Sequence, residues 1–251
     1  MRSMRHQWIS ILFAAITLSV NAKDLIKIGF VPHGPPIDAM EEHTLIGGIV
    51  FEVGTAIAHE AGYIAVFHAI PTNRAEEWLA ENKIHMLCLY NRHWLKKPER
   101  FIWGPDLTHY QEYFILNKDT PDIKSYEQLQ GMTVAARLGY TYSPQLEALF
   151  TKEYSVRLNR QDTDSLYRLL TLKRVDTLID NTWSYYYRQK NNPDFTLRLS
   201  SLRDAHYPLT CLCAEQSPEI SKTLVQSMNN LLNQGKIQQL MVKYLSPKLH
   251  N

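Results

Sequence analysis

The chain has 251 residues, of which 45% are hydrophobic, with 27 Lys and Arg against 25 Asp and Glu. A net charge of +2 excludes the strongly basic surface that supplies most nucleic-acid affinity. Three cysteines exclude a scaffold built on disulfides.

In chain order, residues 1–22 read as a secretory signal rather than as part of the fold. Arg2 and Arg5 form a basic start, Trp8 to Val20 is mostly apolar, and Val20-Asn21-Ala22 offers small residues at a cleavage point. The apolar run falls short of the ~20 residues of a membrane span. No cysteine stands beside the cleavage point, which argues against a lipid anchor; an uncleaved anchor is the alternative. Loss of Arg2 and Arg5 reduces the 27 basic residues to 25, so the mature chain from Lys23 is neutral. The expected product is a soluble, exported globular protein with one large core or two smaller ones.

Leu25 to Val31 is an apolar run ended by Pro32, Gly34, Pro35 and Pro36, so it reads as a strand entering a rigid loop. Val50, Val53, Ile57 and Ala61 recur at helical spacing after Gly47-Gly48, and Gly62 stops that helix. Ile64 to Ile70 is the next strand. Thr72 or Asn73 is expected to cap a helix with Glu76 in a capping-box-like arrangement, and Ile84 to Tyr90 is the third strand. This β-α-β-α-β order predicts parallel strands with right-handed crossovers.

Glu112 to Leu116 reads as a strand leading out of the first unit, and Ser125-x-x-Gln128 as a capping box ahead of Gly131. A second alternating run has strands at Thr133 to Leu138, Val156 to Leu158 and Val175 to Ile179. Helices start at Ser143-Pro144 and run through Leu166, Leu169 and Leu170. Leu209 to Ala214 is an apolar return, followed by two amphipathic helices divided by Gly235 and ended before Pro247.

One device occurs twice, at 75–94 and 164–183: an amphipathic helix, a basic turn, a short apolar strand and an abrupt polar loop. Polar groups at the carboxyl edges of parallel strands are where α/β proteins place ligands. Two such edges point to two lobes facing one ligand. The turn Gly139-Tyr140-Thr141, ahead of the helix at Pro144, offers unpaired amides and a hydroxyl for an anion.

The phrases IKIGF with a following Pro-Pro, GGIVFEVGTAIAHEAG, KKPER before WGP, SYEQLQGMTVAARLGYTY, LKRVDTLIDN and LLNQGKIQQLMVKY stand in an order that carries more weight than any one of them. From Ile26 to Tyr244 that order resembles the bacterial extracellular solute-binding proteins of family 3, which feed amino-acid ABC transporters. The resemblance implies an α/β type 2 periplasmic binding protein fold, with two α/β lobes joined by two crossovers and a ligand cleft between them. Lobe 1 would take 23–115 and 208–251, and lobe 2 would take 116–207. It also implies a periplasmic monomer that captures a small polar solute, amino-acid-like or an organic anion, for an inner-membrane ABC permease. A sensor without a transporter is the alternative partner.

The same resemblance implies site residues. Arg100 in KKPER matches an arginine that forks a ligand carboxylate, a task suited to a guanidinium, and Arg92 competes for the role. Gly139, Tyr140 and Thr141 match the carboxylate-binding turn, although Tyr140 stands where the family has a small hydroxyl residue. Asp180 matches an aspartate that pairs with the ligand ammonium, with Asn181 the alternative one residue on. Ile37 replaces the usual stacking aromatic after Pro-Pro, so His33, Trp94, Tyr140, Tyr142 and Trp183 are the candidate substitutes. The family topology sets Cys88 beside the returning strand, where either Cys211 or Cys213 could bridge to it.

No G-x-S-x-G, H-E-x-x-H, Gly-rich phosphate loop or C-x-x-C is present, and the histidines lack ligand spacing. The expectation is a non-enzyme without cofactor, metal or nucleic-acid partner. The enzymatic alternative is a dehydratase-like protein on the same fold, with Glu99, Glu112 or Asp180 as its acid.

Overall fold

The computed structural model describes residues 24–245, so the expected signal segment and Pro247 lie outside the described residues. β1 (Leu25–Phe30) leads to a hairpin, β2 (Ala39–Glu41) and β3 (Thr44–Gly47), and then to α1 (Ile49–Glu60) and β4 (Ile64–Ala69). A short α2 (Ala75–Ala80) precedes β5 (Met86–Tyr90), β6 (Phe101–Trp103) and β7 (Thr108–Leu116). The second run is β8 (Thr133–Arg137), α3 (Pro144–Thr151), β9 (Val156–Arg160), α4 (Thr163–Thr171), β10 (Thr177–Asn181) and α5 (Thr182–Asn191). β11 (Arg198–Ala214) brings the chain back to α6 (Pro218–Asn233) and α7 (Lys236–Leu245).

The large sheet runs β4, β1, β5, β11, β7, β10, β8, β9, with β6 pairing β11 at the side. β1 is parallel to β4 and β5, and β8 is parallel to β9 and β10, as the alternating order predicts. Each parallel trio is closed by an antiparallel strand, β11 against β5 and β7 against β10. β7 and β11 also pair with each other from Leu116 with Arg198 to Thr108 with Leu209, and so tie the two halves together.

Burial follows the two-residue period of a strand. Val134 and Ala136 pack with Leu146 and Leu149 of α3, whereas Ala135 packs with Leu166 and Leu170 of α4. In the other half Ile26, Ile28 and Met86 pack beneath α1, α6 and α7, and Leu87 packs on the opposite face with Leu79 of α2. Each half is therefore a sheet covered on both faces. Among the described residues no helix is long and apolar enough to cross a membrane.

α1 starts without a side-chain cap, at Gly48 with φ 97°. Its first amides are satisfied from the β1 loop, Ile49 by the Pro36 carbonyl and Val50 by the Ile37 carbonyl, each at 3.0 Å. A Cβ on Gly48 would lie 2.7 Å from both Asp38 Cα and the Ile37 oxygen, which are backbone atoms with little freedom to yield. Gly48→Ala is therefore expected to cost roughly 2 kcal/mol and to lower the melting temperature by roughly 4–8 °C. Calorimetric melting checks this, and a change below 1 °C would show that the loop yields freely.

Two expectations need correction. Residues 72–74 form a 3-10 turn with no side-chain cap, and α2 begins only at Ala75. Glu76 does not reach back to a cap; its carboxylate accepts from the Lys96 and Lys97 amides at 2.9 and 2.8 Å, because the loop after β5 brings two free donors to it. The return strand is also longer than its apolar part, since the polar stretch Arg198 to Pro208 pairs along β7, with register shifts on either side of Arg203. The β2–β3 hairpin has no counterpart in the sequence reading. Its strands are three and four residues long, joined through Glu42 and His43 at positive φ.

Candidate functional site

A cavity of about 380 Å³ opens where the carboxyl ends of β1, β4, β5 and β8 meet the middle of β7. That volume suits a small molecule. Both halves supply its wall: His33, Trp94 and Tyr90 from the first, Gly139, Tyr140, Thr141 and Trp183 from the second, and Tyr110 and Glu112 from the connecting strand β7.

Aromatic rings form a connected part of the wall. Trp94 is the hub, with ring centroids 5.9 Å from Tyr90 and 5.5 Å from Tyr110, and Tyr110 continues to Trp183 at 5.7 Å, all edge to face. Asn91 holds this loop against β11 through its side-chain amide on the Pro208 carbonyl, 2.7 Å away. The Cys88–Cys211 disulfide joins β5 to β11, and Cys88 lines the cavity. Cys213, two residues on, is free and buried, and burial pushes its thiol up to about 12.

Glu112 is the buried carboxyl group on the wall, 4% exposed. It sits in the middle of the two-strand connection, opposite Asn181 of β10 and Ala205 of β11. The Tyr110 hydroxyl donates to its Oε1 at 3.1 Å. Burial above all, then the negative charges of Asp204 and Asp180, raise its pKa to about 8 despite that hydrogen bond. These surroundings favour the protonated, uncharged form of Glu112.

Beside the cavity, Arg137 and Thr163, which are bonded to each other, hold the halves together through two hydrogen bonds. The Arg137 guanidinium donates to the Pro32 carbonyl at 2.9 Å and to the Thr163 hydroxyl oxygen at 2.8 Å, and Thr163 donates to the His33 carbonyl at 3.1 Å. The same guanidinium lies over the Tyr140 ring at 5.4 Å, and Tyr140 meets the His33 ring at 5.5 Å. His33 is held neutral, its pKa lowered to about 4 by burial and by the charge of Arg137.

Of the residues expected from sequence, His33, Trp94, Gly139, Tyr140, Thr141 and Trp183 come together on the wall, whereas Arg92, Arg100, Tyr142, Asp180 and Asn181 do not line the cavity. Arg100 is exposed at the end of a short turn, and Arg92 lies over the Trp103 ring at 4.6 Å. Asp180 is buried behind β7, with Oδ1 accepting from the Asn181 backbone and side-chain amides, both at 2.8 Å. Burial raises Asp180 to about 6. Asn181 caps α5 by accepting from the Ser184 amide at 2.9 Å.

The start of α3 already holds carboxylates of its own chain. Asp204 accepts from the Ser143 amide at 3.1 Å and from its hydroxyl at 2.6 Å, and Glu147 accepts from the Tyr142 amide at 2.9 Å. Sequence reasoning missed Arg137 and the place of Glu112 on the wall. The available signals were an arginine closing the apolar strand TVAAR and a lone carboxylate within HYQEYFIL.

No protein-family model and no curated protein matches the chain. Solved structures do match it along nearly its whole length. An ancestral arginine-binding protein bound to arginine superposes with TM-score 0.75 at 16% identity, covering 89% of this chain and 99% of that one. The GluR0 ligand-binding core in complex with L-glutamate gives TM-score 0.74 at 19% identity, covering 90% and 100%. An ancestral amino-acid-binding protein described as a precursor of cyclohexadienyl dehydratase gives 0.72 at 16% identity, covering 88% and 96%. The fold is thus the two-lobed type 2 periplasmic binding fold.

Proposed function

We propose that this chain is an exported binding protein that captures a small polar solute between its two halves and presents it, in the periplasm, to an ABC permease or a sensor in the inner membrane. The observation that carries this reading is a cavity walled by both halves, which Arg137 and Thr163 tie together through Pro32 and His33 beside it. Amino-acid binding by proteins of the same fold supports it. His33, Trp94, Gly139, Tyr140 and Thr141 are the proposed solute contacts. An uncharged acid in the cavity, Glu112, is what favours the dehydratase-like alternative; turnover of a prephenate-like substrate would decide for that reading.

Thermal-shift screening against amino acids, amines and small organic acids, followed by calorimetry, tests capture. Hydrogen bonds to a charged group are worth roughly 1.5–3 kcal/mol, so Arg137→Ala is expected to weaken any bound solute about ten- to a hundredfold. Small-angle scattering should show the variant more open than the parent. Unchanged affinity and shape would mean that Arg137 does not hold the halves closed, and the absence of binding by every class would sink the capture reading.

A further inference from the structure

We infer that the cavity selects a solute whose buried end is a protonated amine, with Glu112 as its counter-charge and the surrounding rings as its cage. This rests on the solute-capture reading and adds the charge of the solute to it.

Three observations point the same way. The acidic and strongly basic residues on the wall are Glu76, Lys96 and Glu112, and of these only Glu112 is deeply buried. Lys96 is exposed at the rim, and the Glu76 carboxylate is engaged by the backbone amides of Lys96 and Lys97. Among the described residues Glu112 has one side-chain hydrogen-bond partner, Tyr110, which leaves its second oxygen for a solute. Next, the wall offers an anion little. Arg137, Arg92 and Arg100 all lie off the wall, the two terminal nitrogens of Arg137 are held by Thr163 and Pro32, and Asp204 and Glu147 already occupy donors at the start of α3. Finally, Trp94, Tyr110, Tyr140 and Trp183 surround the space, and aromatic faces attract cations, most of all when both are desolvated.

The ionisable groups within electrostatic reach of Glu112 on neighbouring elements are Tyr110 of β7, Asp204 and Tyr207 of β11, Tyr140 and Tyr142 ahead of α3 and, from the other face of the sheet, Asp180 of β10. None of them is a cation. Without a solute, burial and these negative neighbours favour the protonated form of Glu112. An entering ammonium replaces that proton: the ammonium and carboxylate pair, the proton goes to the buffer, and the net charge of the site is unchanged. A carboxylate solute would instead keep Glu112 protonated and release nothing.

The test uses the mature protein with phenethylamine, putrescine, phenylalanine, phenylacetate and succinate as probes in thermal shift. Calorimetry of the best binder at pH 7 follows, in phosphate and in Tris, whose ionisation enthalpies differ. Expected are stabilisation by an amine, release of close to one proton per solute, and at least tenfold weaker binding without proton release in Glu112→Gln. Carboxylates or phenylalanine binding more tightly than the amines, or amine binding without proton release, overturns the inference while leaving capture intact. The proton count on the parent protein stands even if Glu112→Gln folds poorly. Silence from all the probes overturns capture itself and this inference with it.

Discussion

Replacing Cys88 and Cys211 together by alanine is expected to lower the melting temperature by roughly 10–20 °C. The bridge joins residues 123 apart in sequence, and closing a loop of that size in the unfolded chain is worth about 5 kcal/mol in the chain-entropy account. At roughly 2–4 °C per kcal/mol for a chain of this length, the shift follows. The bond also lies where stability and site coincide: β5 carries the loop of Trp94, and β11 is the strand shared by both halves. Scanning calorimetry of the oxidised parent and the double variant is the measurement. Thiol titration of the unfolded parent should find one free group, Cys213. Equal melting temperatures, or three titratable thiols in protein from an oxidising compartment, would refute the bridge as a stabilising element.

The parts of the fold legible in the sequence are those set by local periodicity. LIKIGF, MLCLY, TVAAR and TLIDN alternate or run apolar between clear breakers, and all four are strands. The polar half of β11 was not legible, because SSLRDAHYP gains its strand character from pairing with β7, some ninety residues earlier. The site divided in the same way. His33, Trp94 and the Gly139 to Thr141 turn follow strand ends and reach the wall, since strand ends in this topology share one edge. Arg100 and Arg92 lie in a loop after β5 whose path is fixed by Glu76 and Asn91, contacts that spacing does not reveal. Asp180 ends the right strand, yet alternation turns its carboxyl behind β7 while Glu112 of β7 faces the cavity. Burial of Glu112 depends on strands from both halves, so its chemistry emerges only after folding.

That burial gives the protein a pH dependence that one substitution should remove. The Glu112 carboxyl has its pKa raised from 4.5 to about 8 in the folded state, first by desolvation and next by Asp204. Because the folded pKa lies above the unfolded one, this group favours the folded state fully below pH 4.5, and its contribution is lost as pH rises through about 8. Over that window the unfolded chain ionises and the folded chain does not. At about 1.4 kcal/mol per pH unit the loss reaches roughly 3–5 kcal/mol by pH 8, before any relaxation of the cleft. Asp180, raised to about 6, adds a slope of the same sign, whereas His33, lowered to about 4, destabilises the protein on the acid side. Comparison of Glu112→Gln with the parent at each pH cancels those shared terms, because glutamine keeps the shape and the acceptor for Tyr110 without the titration. The variant should melt close to the parent at pH 5 and roughly 10 °C above it at pH 8. A gap that stays constant from pH 5 to pH 8 would show that Glu112 is ionised in the folded protein, and that its counter-charge is already supplied by the chain.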